Sequence, residues 1–122
     1  MPAAVLHSGF ADLPQEALFD DALLRSAVRT DGSLVVFNWI KPVPSAPPHH
    51  DHPFDQLALI LEGTLEFDLA GESYVVAPGE LLYIPAGVPH TARVLGDTTV
   101  LNVDIFAPPR ADYLHLAAHQ ST

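Results

Sequence analysis

From residue 34 to residue 106 the chain is cut by proline and glycine into short apolar or alternating runs, at 34–41, 56–62, 64–69, 73–77, 81–84, 90–95 and 99–106. The cuts fall at 42–48, Gly63, Ala70-Gly71, Pro78-Gly79, Pro85-Ala86-Gly87 and Gly96-Asp97. Turn residues at this spacing mark strand ends. A parallel pair would need a crossover of about a dozen residues or more, and the gaps leave no room for one. The spacing therefore predicts antiparallel hairpins and Greek-key connections, an all-β sandwich or barrel.

The flanks read differently. Pro14 stands where a first-turn proline would, and residues 15–29 carry apolar side chains at Leu18, Phe19, Ala22, Leu23 and Val28, which suits a short helix or, alternatively, a strand beginning near Leu24. After Pro108-Pro109, Tyr113, Leu114 and Ala118 suit a short terminal helix. The expected organisation is one domain, with an N-terminal arm over 1–33 packing on a barrel over 34–109, then a short helix and tail over 110–122. A chain of 122 residues with 48% hydrophobic content can bury one core without staples. Cysteine is absent, which excludes disulfides, zinc–thiolate sites and cysteine nucleophiles.

Five basic side chains against 15 acidic ones give a formal charge of −10. Affinity for nucleic acid comes largely from lysine and arginine neutralising phosphates, so neither nucleic acid nor an anionic membrane is an expected partner. Residues 1–7 lack the positive start and long apolar run of a secretory signal. No stretch reaches the roughly 20 apolar residues of a membrane span, and a cytoplasmic protein is expected.

The chemistry concentrates in Pro48-His49-His50-Asp51-His52-Pro53-Phe54-Asp55-Gln56 and in Pro89-His90. Alternate side chains of a strand share a face. His50, His52 and Gln56 have one parity; His49, Asp51 and Asp55 have the other. Two imidazoles and a carboxamide oxygen therefore point together if the chain stays extended through Pro53, and His90, opening a later strand, could complete a four-ligand set. Such nitrogen and oxygen donors suit one divalent first-row metal, namely manganese, iron, nickel or zinc. A lone His-x-His pair beside prolines is equally compatible with a solvated loop, and Asp55 is an alternative ligand whose parity points it outward.

The pattern His50-x-His52-x3-Gln56-x6-Gly63, followed by Gly79-x5-Pro85-x-Gly87-x2-His90, resembles the paired motifs of the cupin superfamily. That resemblance implies a double-stranded β-helix, the jelly-roll barrel, with His50, His52, Gln56 and His90 as metal ligands. Two positions depart from it. The commonest third ligand is glutamate where this chain has Gln56, and the asparagine that often follows the last histidine by four residues is Val94. A neutral ligand set leaves a bound ion its full charge, making it a stronger Lewis acid for an anionic or oxygen-rich substrate.

A second constellation closes the barrel. Asn102, Asp104 and Phe106 share a strand face, and Arg110 follows a rigid Pro-Pro turn. They read either as a pocket for a carboxylated molecule or as a salt bridge beside a core aromatic. With the ligand set above, Asp104-x-Phe106-x-Pro108-x-Arg110 resembles the small cupins of pectin and alginate breakdown that linearise Δ4,5-unsaturated uronates. The resemblance implies catalytic roles for Asp104 and Arg110 and substrate contacts for Phe106, Asn102 and Arg110, on a small-molecule substrate. Alternatives are a quercetinase-like or diketone-cleaving cupin dioxygenase, or a non-catalytic sugar sensor like the ligand-binding domains of AraC-type regulators. Phe37, Trp39, Leu57, Leu59, Leu61, Leu101 and Val103 read as barrel core or a dimer face, and a homodimer is expected because a small barrel has two sheet faces to cover and little helix. His7, His115 and His119 read as surface residues.

Overall fold

The computed structural model describes residues 4–44 and 46–120; residues 1–3 of the expected arm, Ser45 of the proline-rich loop and residues 121–122 of the tail lie outside the described residues. The strands are β1 (Glu16–Leu18), β2 (Leu23–Arg29), β3 (Leu34–Ile40), β4 (Asp55–Glu62), β5 (Thr64–Leu69), β6 (Glu72–Val76), β7 (Leu81–Ile84), β8 (His90–Leu95) and β9 (Val100–Ala107). They form a six-stranded sheet in the order β1-β2-β3-β9-β4-β7 and a three-stranded sheet in the order β6-β5-β8. All pairings are antiparallel, so the molecule is the all-β jelly-roll barrel that the punctuation and the motif resemblance imply.

Residues 15–29 settle as strands, not a helix. Glu16–Leu18 and Leu23–Arg29 pair with each other, and β2 adds to β3 along its whole length. Between them Phe19, Asp20 and Asp21 all have positive φ, a reversal that ends any helical run. The sheet's demand for a partner beside β3 outweighs the weak helical spacing. A single 3₁₀ turn at Phe10–Asp12 remains in the N-terminal arm, and the C-terminal segment is a 3₁₀ helix at Ala111–Gln120. That segment buries Leu116 and Ala117, while Ala118 is exposed. Gln120 exchanges two hydrogen bonds with the Arg29 backbone, and His119 Nε2 donates to the Ala27 carbonyl at 2.7 Å. These side chains occupy the stretch of β2 edge that β1 is too short to reach, which closes it to pairing with another chain.

Inside, polarity changes along each strand. The lower barrel is filled by Ala58, Ile60, Leu65, Phe67, Val76, Ile84, Val94 and Val100. One step up each strand the inward residues become polar: Gln56 after Ala58 on β4, Asn102 and Asp104 after Val100 on β9, and His90 beyond Ala92 on β8. Val94, at the position where an asparagine is common in the family, is part of the apolar floor. A second cluster of Ala27, Leu34, Val36, Phe106, Leu116 and Ala117 seats the C-terminal segment on the inner face of β2, β3 and β9. Of the outward residues, Phe37 and Val103 are buried with Leu13 beneath the arm.

Candidate metal centre

Two backbone hydrogen bonds join the halves of the site. His50 N–H donates to the His90 carbonyl at 3.0 Å and His90 N–H to the His50 carbonyl at 2.9 Å, an isolated antiparallel bridge between the approach to β4 and the start of β8. This pairing sets the two imidazoles 4.3 Å apart by ring centroid. His52 is placed by the second turn: Gly87 N–H donates to the His52 carbonyl at 2.8 Å, and Gly87 has φ +81, a conformation open to glycine and strained for other residues. The chain is not a regular strand through Pro53, yet the parity survives, and the candidate ligand nitrogens of His50, His52 and His90 lie within 4.8 Å of one another.

The His52 and His90 rings are each turned by a backbone carbonyl. A carbonyl oxygen only accepts, so His52 Nδ1 carries its proton toward Phe54 O at 2.9 Å and His90 Nδ1 toward Val88 O at 2.8 Å. In the neutral tautomer Nε2 of both rings is then a bare lone pair. Burial, with the neighbouring imidazoles and Arg110, holds His50 and His90 below the ordinary histidine range and keeps them neutral at physiological pH. Gln56 Oε1 stands 3.1 Å from His52 Nε2. Two lone pairs facing across that distance are what a shared cation would reconcile, so the donor set fits a first-row divalent ion.

Residues of the opposite parity do other work. His49 pairs with Asp68 at 3.1 Å on the outside of β5, in a groove of about 350 Å³ where Arg93 and Ser73 both bind Glu66. Asp55 is exposed and accepts Ala86 N–H at 3.0 Å, tying the two motif turns together. Asp51 is exposed.

Asp104 lies behind Gln56. It accepts from the Gln56 amide at 2.9 Å, from Asn102 Nδ2 at 3.0 Å and from Asn38 Nδ2 at 3.1 Å. Burial drives its pKa up, against the pull of the amide donors and Arg110. Phe106 is buried, edge-on to His52 and Phe54. Arg110 lies face-on to Tyr113 at 3.8 Å and gives its Nε–H to Asp112 at 2.8 Å. That bond and the Arg110 charge hold Asp112 below the usual carboxylate range. With 13% of its side chain exposed, Arg110 makes no hydrogen bond through its Nη groups among the described residues.

Sequence reasoning missed Asn38, Arg25 and Tyr113. Arg25 stacks on Tyr113 at 4.3 Å and is anchored by Glu16. Tyr113 thus carries two guanidinium groups, Arg25 and Arg110, against its ring. No local signal marks them: Arg25 pairs with Asn38, and Asn38 with Asn102, an inward polar row that only the pairing of β2, β3 and β9 assembles. His7 is exposed, His115 is exposed on Glu16 at 3.1 Å, and His119 is half-buried.

Among the described residues, nine strands form a jelly roll with three converging histidines at one end, a barrel whose site could hold a metal ion. The family model described as a cupin domain matches residues 39–106, and the chain belongs to the cupin family. It is similar in structure to KdgF from Halomonas sp., with 24% identity and a TM-score of 0.75 over 85% of this chain and 94% of that one. An RmlC-like cupin from Shewanella frigidimarina gives 22% identity and a TM-score of 0.78 over 93% and 99%. The polyketide cyclase RemF from Streptomyces resistomycificus gives 19% and 0.76 over 88% and 82%. No curated protein sequence matches the chain.

Proposed function

We propose that this cupin is a metal-dependent enzyme that opens the ring of a Δ4,5-unsaturated uronate to a linear keto-uronate. The observation that carries this reading is the grouping of Arg110, Asp104 and Phe106 beside the three histidines. Among the described residues the Arg110 Nη groups make no hydrogen bond, and its charge is felt at His50, His90 and Asp104. The likeness to KdgF in fold and the Asp104-x-Phe106-x-Pro108-x-Arg110 tail support it.

His50, His52, His90 and Gln56 would hold a manganese, iron, nickel or zinc ion. When bound, it supplies a Lewis acid that polarises substrate oxygens. Arg110 binds the uronate carboxylate through its Nη edge. Phe106 gives the sugar an apolar wall, and Asn102 belongs to the polar floor beneath it. Asp104, its carboxyl raised above the ordinary range by burial, takes the proton of the anomeric hydroxyl. The C1–O5 bond then breaks, leaving an enolate across C4, C5 and O5, and return of the proton to C4 gives the ketone. The change is an isomerisation with no oxidant or reductant.

Ring opening consumes a conjugated enol ether, so the loss of ultraviolet absorbance of a Δ4,5-unsaturated galacturonate monomer reads the reaction. Metal-replete protein is expected to accelerate the loss, and a chelator to abolish the acceleration. No acceleration by the metal-replete protein would sink the uronate reading, and oxygen uptake with a phenolic or diketone substrate would replace it with the dioxygenase.

A further inference from the structure

We propose that Asp104 is a positioning residue for the ligand oxygen of Gln56, and that the polar cluster of buried Asn38 and Asn102 with half-buried Asp104 decides which end of the Gln56 amide faces the histidines. The proposal rests on the metal-centre reading above and adds a role that the ligand set does not contain.

A carboxamide has two ends of nearly equal shape and opposite meaning. The oxygen end accepts and can ligate a cation; the amino end donates and repels one. Nothing in Gln56 itself selects between them. The register of β4 against β9 does. Gln56 lies opposite Phe106, and Asp104 lies opposite Ala58, whose side chain is too small to fill the space between, so the Gln56 amide reaches Asp104 on the diagonal at 2.9 Å. Both Asp104 oxygens already receive amide N–H groups, so toward its neighbours this carboxyl acts as an acceptor. The end of Gln56 that meets it must be the amino group, and the far end, 3.1 Å from His52 Nε2, must be oxygen.

Asn102 shows the same control independently. It turns its amino group to Asp104 at 3.0 Å and leaves its own Oδ1 buried with no hydrogen-bond partner. A buried acceptor is left orphaned at a cost, so the pull of Asp104 on amide donors outweighs that cost. Asn38, directly opposite Asn102 across β3 and β9, supplies the third amino group at 3.1 Å. The acidic group of the site thus stands behind the ligand, where, besides any proton transfer, it sets the orientation of the amide.

The test is a double-variant cycle read by the affinity of the metal-stripped full chain for Mn²⁺ alone, with folding checked by circular dichroism. An asparagine at 104 can present its amino group to Gln56, which then turns its own amino group on the ion. Asp104→Asn is expected to weaken Mn²⁺ binding by about 10- to 100-fold. Combining it with Gln56→Glu restores one donor facing one acceptor, and the double variant is expected to bind more tightly than either single one. Loss of charge alone predicts the reverse order, with the double variant weaker than Gln56→Glu, and additive effects around the cycle. Additive effects, or Asp104→Asn binding as tightly as the parent, would overturn the proposal. Should Asp104→Asn fail to fold, the comparison of Gln56→Glu with the double variant decides it in the same way. A parent protein that binds no Mn²⁺ would bring down the metal centre itself, and this role with it.

Discussion

At the scale of single residues, Gln56 and Asp55 make the sharpest contrast, adjacent in sequence and opposite in duty. Gln56 is buried beside His52 and Asp55 is exposed on the Ala86 amide. Gln56→Ala is therefore expected to lower metal retained after dialysis severalfold, measured by elemental analysis, whereas Asp55→Ala should leave it near the parent level. Equal loss from both would remove Gln56 from the ligand set. The alternation of His50, His52 and Gln56 was legible in the sequence because side-chain direction in an extended chain is a local property. Asn38 and Arg25 were not legible. They stand 64 and 77 positions before Asn102 in the numbering, and only the pairing of β2, β3 and β9 puts all three on one row. Which strands become neighbours is decided by long-range packing, and no local pattern carries it.

At the scale of elements, the hairpin turns and the flanks divide in the same way. The seven runs between turn signals are strands in the structure, with ends shifted by a residue at most, because glycine and proline act on their own backbone. The stretch 15–29 went to strand because β3 needed a partner there, a fact absent from its own sequence. Gly63, joining β4 to β5, combines φ +74 with a close approach: a Cβ there would lie 2.7 Å from Val100 Cγ2 and 3.1 Å from Val100 Cα. Gly79 has φ +84 with open space around it. Gly63→Ala is expected to cost roughly 2–4 kcal/mol, and Gly79→Ala only about 1, read as midpoints of urea unfolding. Equal costs would mean that the Val100 contact relaxes freely. Glu16 links β1 to Arg25 and to His115 of the C-terminal segment, and the Arg25 hydrogen bond holds its carboxyl below the ordinary value. A depressed carboxyl pKa gives stability that is present above the unfolded pKa of about 4 and lost as pH falls through the folded value. Glu16→Gln should therefore flatten the acid limb of the stability–pH profile and leave the slope above pH 6 unchanged.

At the scale of the whole molecule, the outward face of the six-stranded sheet is only half covered. The N-terminal arm lays Leu13 over Phe37 and Val103 and stacks Phe10 on Phe37 at 4.4 Å, so the β3–β9 half is closed by the chain's own residues. Among the described residues the β4–β7 half has no such cover. Leu61, Leu81 and Tyr83 are 42%, 63% and 50% exposed there, beside half-buried Leu57, and among the described residues β7 pairs with β4 alone. The homodimer expected from the sequence would bury that face, because a patch on one sheet face can meet its own image across a two-fold axis. Light scattering is expected to give twice 13.1 kDa at micromolar concentration. Leu81→Glu should give a folded monomer with the metal affinity of the parent, since Leu81 points away from the barrel interior that holds the histidines. The charge adds a second, independent signature. Two chains of −10 each repel at low ionic strength, so added salt should tighten the dimer, the opposite of the salt response of a phosphate-binding surface. A monomer at every salt concentration would show that the exposed leucines and Tyr83 serve some purpose other than self-association.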